Sequence, residues 1–284
     1  MTTANTSPAP LGETLATHYS TRVALVSPPR TGSTPVARLL WQHPLITHHC
    51  HEPFEAVYWG SAGVESVERN LVNPMDVATG ERGPLPVDGG LLVKEMSFQL
   101  DDDRFRFLAE VATAPVVFVV RDPRLSTTSR LRVVRELYDE GTFEPWESGW
   151  DALGKQVRAC RDHGIDYVVL DSDDLRADPE GVSAALVAAL GLPGATGLHR
   201  WSARSGLRLV APEVGALMGT RRAEDDPFYR RVLASEGVQP PEEPDWIEEG
   251  ELIEAAGLSE HVAEWRALHA DLLADPRRLR GEAR

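Results

Sequence analysis

The chain of 284 residues is long enough to bury the core of one large α/β domain, and its 42% hydrophobic and 26% charged residues are ordinary for a globular protein. A formal net charge of −15 argues against general affinity for nucleic acid or anionic membrane, both of which need a basic surface, but leaves room for a local basic pocket. Two cysteines, Cys50 and Cys160, make a disulfide scaffold an unlikely design and suit a reducing cytoplasm, where the chain is expected to work.

Residues 1–18, rich in Thr, Pro and Ala, are expected to fray as a flexible tail. The start of the chain has neither a basic stretch nor an apolar core, so no signal peptide is expected, and no apolar run approaches membrane-spanning length. The first strand is predicted over Arg22–Ser27, apolar on both faces as in a parallel strand covered on both sides. A loop, Pro28–Ser33, and a helix from about Thr34 to Gln42 follow, with Pro35 in the first turn. "LITHHC" (45–50) predicts a second strand and "EPFEAVYWG" (52–60) a helix. Residues 61–88 are broken by Asn-Pro, Gly-Pro and Asp-Gly-Gly and are expected to form a loop-rich cover.

Further strands are predicted at Leu91–Lys94, Pro115–Val120 and Tyr167–Leu170, and helices at about 102–112, 123–140, 146–163 and 179–190. Strands alternating with helices imply an α/β fold, a mainly parallel sheet flanked by helices. Past Gly206, residues 213–237 read as loop plus helix, "QPPEEPDW" as a linker, and 258–276 as an amphipathic closing helix with Val262, Trp265, Leu268, Leu272 and Leu273 on its apolar face. The chain is therefore expected to be a single domain over 19–284 with a helical C-terminal extension at about 206–275. The acidic runs Asp101–Asp103, Asp171–Asp174 and Glu224–Asp226 are expected to be solvated faces or helix starts.

The loop "SPPRTGSTP" joins a buried strand to a helix, and such a turn offers backbone N–H groups and the positive end of the helix dipole to an anion. Gly32 lets the backbone approach a phosphate, Ser33 and Thr34 carry hydroxyl donors, and Arg30 carries a permanent charge. An ordinary turn capped by Ser33 or Thr34 is the plainer alternative. The loop lacks the first glycine and the lysine of G-x-x-x-x-G-K-[ST], which weakens a triphosphate-hydrolysing reading.

"SPPRTGSTPVARLLWQHP" resembles the 5′-phosphosulfate-binding loop of sulfotransferases that use 3′-phosphoadenosine 5′-phosphosulfate (PAPS), and "VVFVVRDPRLSTTSR" resembles their second signature, an arginine after a strand and a serine eight residues on. The resemblance extends more weakly through "HEPFEAVYW", "LLVKEMSF" and "YVVLDSDDLRADPEGVSAALVAALGLP", with "FYRRVLASEG" a fainter echo. It implies a P-loop NTPase-like sulfotransferase fold, PAPS as co-substrate held by Arg30, Thr31, Gly32, Ser33, Thr34, Arg121 and Ser129, and no required metal. It further implies transfer of a sulfuryl group to a hydroxyl or amine of a small-molecule acceptor.

Many cytosolic sulfotransferases use a histidine as base after Lys-Thr; here Lys94-Glu95-Met96 puts methionine at that place. In the tyrosyl-protein sulfotransferases a catalytic glutamate follows the loop past a His-Pro pair. His43-Pro44 and Glu52 match that spacing to within about a residue, so Glu52 becomes the candidate base. Lys94 is a candidate contact to the sulfate or bridging oxygen, and His51 is expected to orient Glu52 or the acceptor. On a strand, His49 and His51 face one side and His48 and Cys50 the other, so this run does not read as a metal site. A nucleotide-dependent phosphotransferase and a non-catalytic nucleotide-binding protein remain the alternatives.

Overall fold

The computed structural model describes residues 11–60, 63, 65–83, 85–86, 88–137, 141–204, 228–241 and 243–281. Six strands form one sheet: β1 Tyr19–Ser27, β2 His48–His51, β3 Met75–Asp76, β4 Gly89–Met96, β5 Val116–Val120 and β6 Tyr167–Asp171, in the order β3-β2-β4-β1-β5-β6. Every pairing is parallel except that of β2 with the short edge strand β3. A parallel sheet must be covered on both faces, and alternate residues of β1 do feed two cores. Val23 and Leu25 pack with Val36, Leu39, Leu40 and Leu186 on one side. Ala24 and Val26 pack with Phe118, Trp150 and Trp265 on the other.

The first core is closed by helices Ser33–Trp41 (below, the loop helix) and Pro179–Ala189, and the second by Asp102–Val111, Pro123–Leu137, Trp150–His163 and Ser259–Ala274. The closing helix buries Val262, Trp265 and Leu272, three of its predicted apolar positions. Two acidic runs start helices as expected: Asp101 accepts from the Arg104 N–H at 2.9 Å, and Asp171 from the Asp173 N–H at 2.7 Å. The third run, Glu224–Asp226, lies outside the described residues, as do residues 1–10, 138–140 and the part of the C-terminal extension over 205–227.

Three expectations need correction. The last eight residues of the expected tail form a helix, Leu11–His18, anchored by the fully buried Leu15. The stretch 61–88, expected as a cover, contains the helix Glu65–Leu71 and strand β3, whose Val67, Leu71 and Met75 enter the cores. The second strand starts at His48 rather than at Leu45, because Leu45 and Ile46 are used in the turn that follows the loop helix.

The arrangement that matters for function is at one edge of the sheet. Outward from β1 the sheet continues through β4, β2 and β3 on one side and through β5 and β6 on the other. The chain leaves β1 for β2 on the first side and leaves β5 for β6 on the second, so the segments after β1 and β5 diverge. In open parallel sheets the carboxyl ends of strands flanking such a reversal form the ligand crevice.

Candidate functional site

A cleft of about 1310 Å³ opens at this edge, lined by Arg30, Gly32, Ser33 and Thr34 after β1, Glu52 after β2, Met96 and Phe98 after β4, Arg121 after β5 and Ser172 after β6. Ser129, two turns into the helix Pro123–Leu137, and Tyr229, before the short helix Arg230–Ala234, also face it. The predicted donor-binding and catalytic residues thus converge on one cleft, with Thr31, His51 and the fully buried Lys94 behind its wall.

At the loop, Gly32 has a φ of 92°, in the left-handed region, and a Cβ added there would lie 3.0 Å from the Ser172 Cβ. Glycine is thus required by both conformation and space. The loop helix begins at Ser33 with no side chain capping it, which leaves its first N–H groups directed to the cleft. The plainer alternative of a cap by Ser33 or Thr34 is not what the chain adopts. Thr31 instead braces the turn, its hydroxyl donating to the Pro28 carbonyl at 2.9 Å.

Among the described residues, only Arg30 (φ 63°) and Glu52 (φ 48°) adopt positive φ without being glycine. Such a conformation costs on the order of 1–3 kcal/mol and persists where surrounding structure enforces it, typically at functional sites. Arg30 is held by its side chain: Nε donates to the Ser129 hydroxyl at 3.1 Å and Nη1 to the Phe228 carbonyl at 2.8 Å. The loop arginine therefore reaches across to the serine of the second signature, joining the two motifs directly.

Glu52 is placed by strand register. His51 pairs with Lys94 across β2 and β4, and the Glu52 N–H donates to the Lys94 carbonyl at 2.8 Å, so the two side chains meet just past the strand ends. The Lys94 ammonium, fully buried, donates to Oε1 of Glu52, itself only 3% exposed. The Tyr229 hydroxyl donates to the same oxygen at 3.0 Å. Burial would push the Glu52 carboxyl up, but the adjacent Lys94 charge outweighs it and holds the group well below the usual carboxylate range. Glu52 is thus a fully ionised carboxylate at neutral pH. Met96 lies against this pair, its Sδ 3.7 Å from the Lys94 ammonium.

The neighbouring Glu95 points into the opposite core, where it accepts from the Phe54 and Met96 N–H groups. Burial, with the Glu52 charge added, pushes its carboxyl up to about 8. A carboxyl raised on folding contributes stability that is complete below its unfolded value and is lost as pH rises through the folded one. The thermal midpoint is therefore expected to fall as pH rises from about 4.5 to about 8 and to level off above that, and Glu95→Gln to flatten that fall in scanning calorimetry. An unchanged slope in the variant would remove Glu95 as its source.

Arg121 and Ser129 behave differently from one another. Asp122, which precedes the helix at Pro123 as predicted, is taken up by Arg124 at 2.6 Å and does not pair with Arg121. Arg121 instead lies 3.5 Å from Asp173, and its Nε is buried without a hydrogen bond. The Ser172 hydroxyl, 3% exposed, is likewise without a partner. Buried polar groups are ordinarily satisfied, so orphaned donors lining a cleft mark a place for a polar ligand. The left-handed glycine, the uncapped helix start and these donors suit a ligand carrying phosphate or sulfate groups.

Tyr229 is the site residue that sequence reasoning missed. Its segment is fixed by Arg38, 1% exposed on the loop helix, whose guanidinium donates to the carbonyls of Leu233 at 3.1 Å and Ser202 at 2.8 Å. That anchorage sets Phe228 against Arg30 and Tyr229 against Glu52. The only hint in the sequence is the faint similarity in "FYRRVLASEG".

Two solved structures align with the chain over most of its length. The sulfotransferase domain of the olefin synthase from Synechococcus PCC 7002 is 13% identical with a TM-score of 0.45, covering 82% of this chain and 94% of that chain. The mouse sulfotransferase SULT7A1 complexed with PAP is 13% identical with a TM-score of 0.45, covering 92% of this chain and 95% of that one. No protein-family model and no curated protein matches the chain.

Proposed function

We propose that the chain is a PAPS-dependent sulfotransferase acting on a hydroxyl or amine of a small molecule. The observation that carries this reading is the single cleft that joins an uncapped, glycine-bearing anion loop, Arg121 with its orphaned Nε, and an ionised carboxylate paired to a buried lysine. The first two suit the two ends of a nucleotide with anionic groups at both its 5′ and 3′ positions. The third suits proton removal from an attacking group.

PAPS supplies a sulfuryl group already activated on a phosphate. In the transfer a bond forms between the acceptor oxygen and sulfur, and the bond from sulfur to the phosphate oxygen breaks with its electron pair left on the phosphate. Arg30 and the first N–H groups of the loop helix are placed to offset the charge that grows on that leaving oxygen. Lys94, which already bridges Glu52 and Met96 at the mouth of β4, is within the same wall and offers a second positive charge. Glu52 takes the acceptor's proton. Trp59 and Phe98 line the cleft beyond Glu52, with Tyr58 packed edge-on against both rings at 5.0 and 5.2 Å. Such a wall favours a compact organic acceptor over a polysaccharide.

The test is a thermal-shift comparison of adenosine 3′,5′-bisphosphate, adenosine 5′-monophosphate and Mg-ATP. The bisphosphate is expected to stabilise the protein most, and Arg121→Ala to reduce that advantage by about tenfold in affinity while leaving the monophosphate unaffected. Preference for Mg-ATP would replace the proposal with a phosphotransferase. Tight bisphosphate binding without sulfate transfer across a broad acceptor panel would leave a binding protein.

A further inference from the structure

A carboxylate held far below its usual range is a weak resting place for a proton. Beside Glu52, the hydrogen bonds of β2 prepare a better one. The chain begins at the Leu92 carbonyl, which can only accept, 3.2 Å from Nδ1 of His49. Nδ1 of His49 must therefore carry the hydrogen. Burial, reinforced by the Lys94 charge, keeps His49 neutral, so its Nε2 is left bare as an acceptor. That bare nitrogen lies 3.1 Å from Nδ1 of His51, which must then be the donor. In neutral His51 the remaining nitrogen, Nε2, has no hydrogen. It is buried without a hydrogen-bond partner and sits 3.2 Å from Oε1 of Glu52, off the line of a hydrogen bond. Two lone-pair atoms thus face one another in a buried site with no donor between them, a gap that one proton would fill.

From this geometry we infer that His51, acting through Glu52, is the terminal acceptor of the proton released from the acceptor group. The inference rests on the proposed sulfuryl transfer. The O–H bond of the acceptor breaks as its oxygen bonds to sulfur, and the proton passes to Glu52. The carboxyl then turns about its Cγ–Cδ bond and gives the proton to Nε2 of His51, forming an imidazolium and restoring the carboxylate. No other reactant is needed. His51 is 1% exposed in its side chain and does not line the cleft, so it acts by setting the basicity of Glu52 rather than by touching the acceptor. The Tyr229 ring packs edge-on against it at 5.0 Å and shields it from water.

The groups that face His51 are His49 on its own strand, Glu52 just past the strand end, Lys94 on β4, Tyr229 on the C-terminal segment and the more distant Arg82. Burial, then Lys94, lower its affinity for a proton, and Glu52 opposes them. The resting imidazole is therefore neutral at pH 7, and the form that can receive a proton is lost only as pH falls below the ordinary imidazole range.

Two measurements test this. The first is ¹⁵N NMR of imidazole-labelled protein at neutral pH, with His51→Gln used for assignment. The expected spectrum has His51 with a protonated Nδ1 and an unprotonated Nε2; the opposite tautomer overturns the inference. The second is the pH profile of kcat/KM with ³⁵S-labelled PAPS over a panel of 2-naphthol, benzyl alcohol and tyramine. The parent is expected to lose rate as pH falls below about 6.5, and His51→Gln to lose that limb together with about 10- to 100-fold of kcat while binding adenosine 3′,5′-bisphosphate normally. A variant that keeps the same acid limb overturns the inference even if it is slower. A protein with the expected tautomer that neither binds the bisphosphate nor transfers sulfate overturns the proposed function instead.

Discussion

Glu52→Gln is expected to lower kcat for sulfuryl transfer by ~10²–10⁴-fold, the range a positioned general base contributes, while leaving the affinity for adenosine 3′,5′-bisphosphate within about twofold of the parent. The amide is nearly isosteric, so its oxygen can still accept from Lys94 and from Tyr229, which both donate to Oε1 in the parent. What it cannot do is take a proton. The substitution therefore separates chemistry from architecture better than Glu52→Ala, which would also empty the site and leave the fully buried Lys94 unpaired. Single-turnover transfer of labelled sulfate beside calorimetric binding of the bisphosphate makes the measurement. A loss of less than about threefold in kcat would exclude Glu52 as the base. A parallel loss of bisphosphate affinity would show that the carboxylate shapes the donor site instead.

The backbone at Glu52 argues in the same direction. A glutamate at φ 48° is unfavourable where a glycine would be at ease, yet the side chain there is buried, ionised and held by Lys94 and Tyr229. Arg30, the other strained non-glycine position among the described residues, is fixed by Ser129 and Phe228. The two strained residues are thus the loop cation and the candidate base, both lining one cleft.

What could be read from the sequence follows the range of each interaction. The β1 strand, the loop and its helix are local, so apolar runs, Gly32 and Pro35 suffice to place them. The helix from Pro123 could be placed for the same reason, since Asp122 and Pro123 mark its start. Lys94 and Glu52 could be nominated singly, but nothing in either segment says that they form a pair. That depends on β2 lying beside β4 with His51 opposite Lys94, a register set by tertiary packing. Tyr229 lies 177 residues from Glu52 in the chain, beyond the reach of any periodicity argument. The helix Leu11–His18 was concealed by a Thr- and Pro-rich context and by burying chiefly one residue, Leu15. The helix Glu65–Leu71 was concealed by the breakers that surround it. Both depend on the core they dock against more than on their own propensity.

Lys94→Met is expected to cost about 3–5 kcal/mol of stability at neutral pH, the usual consequence of leaving one member of a buried ion pair behind. Methionine fills much of the volume of the lysine stem, so the loss is electrostatic rather than a cavity effect. With the ammonium gone, burial is left to dominate Glu52 and its carboxyl rises. The sign of the pH dependence then reverses. In the parent the carboxyl is depressed, so its contribution is present above the unfolded value and is lost only as pH falls through the lower folded one. In the variant the buried carboxyl is raised, so the deficit is greatest at neutral pH and shrinks as acid protonates the group. Urea denaturation at pH about 7 and about 5 should find the two proteins converging at the lower pH. Adding Glu52→Gln to Lys94→Met removes the stranded charge and should recover most of the lost stability without recovering transfer, a non-additivity of at least about 2 kcal/mol in the double-mutant cycle. Additive losses would mean that Lys94 and Glu52 stabilise the protein independently. Recovery of transfer in the double variant would mean that neither residue carries the chemistry assigned to the pair.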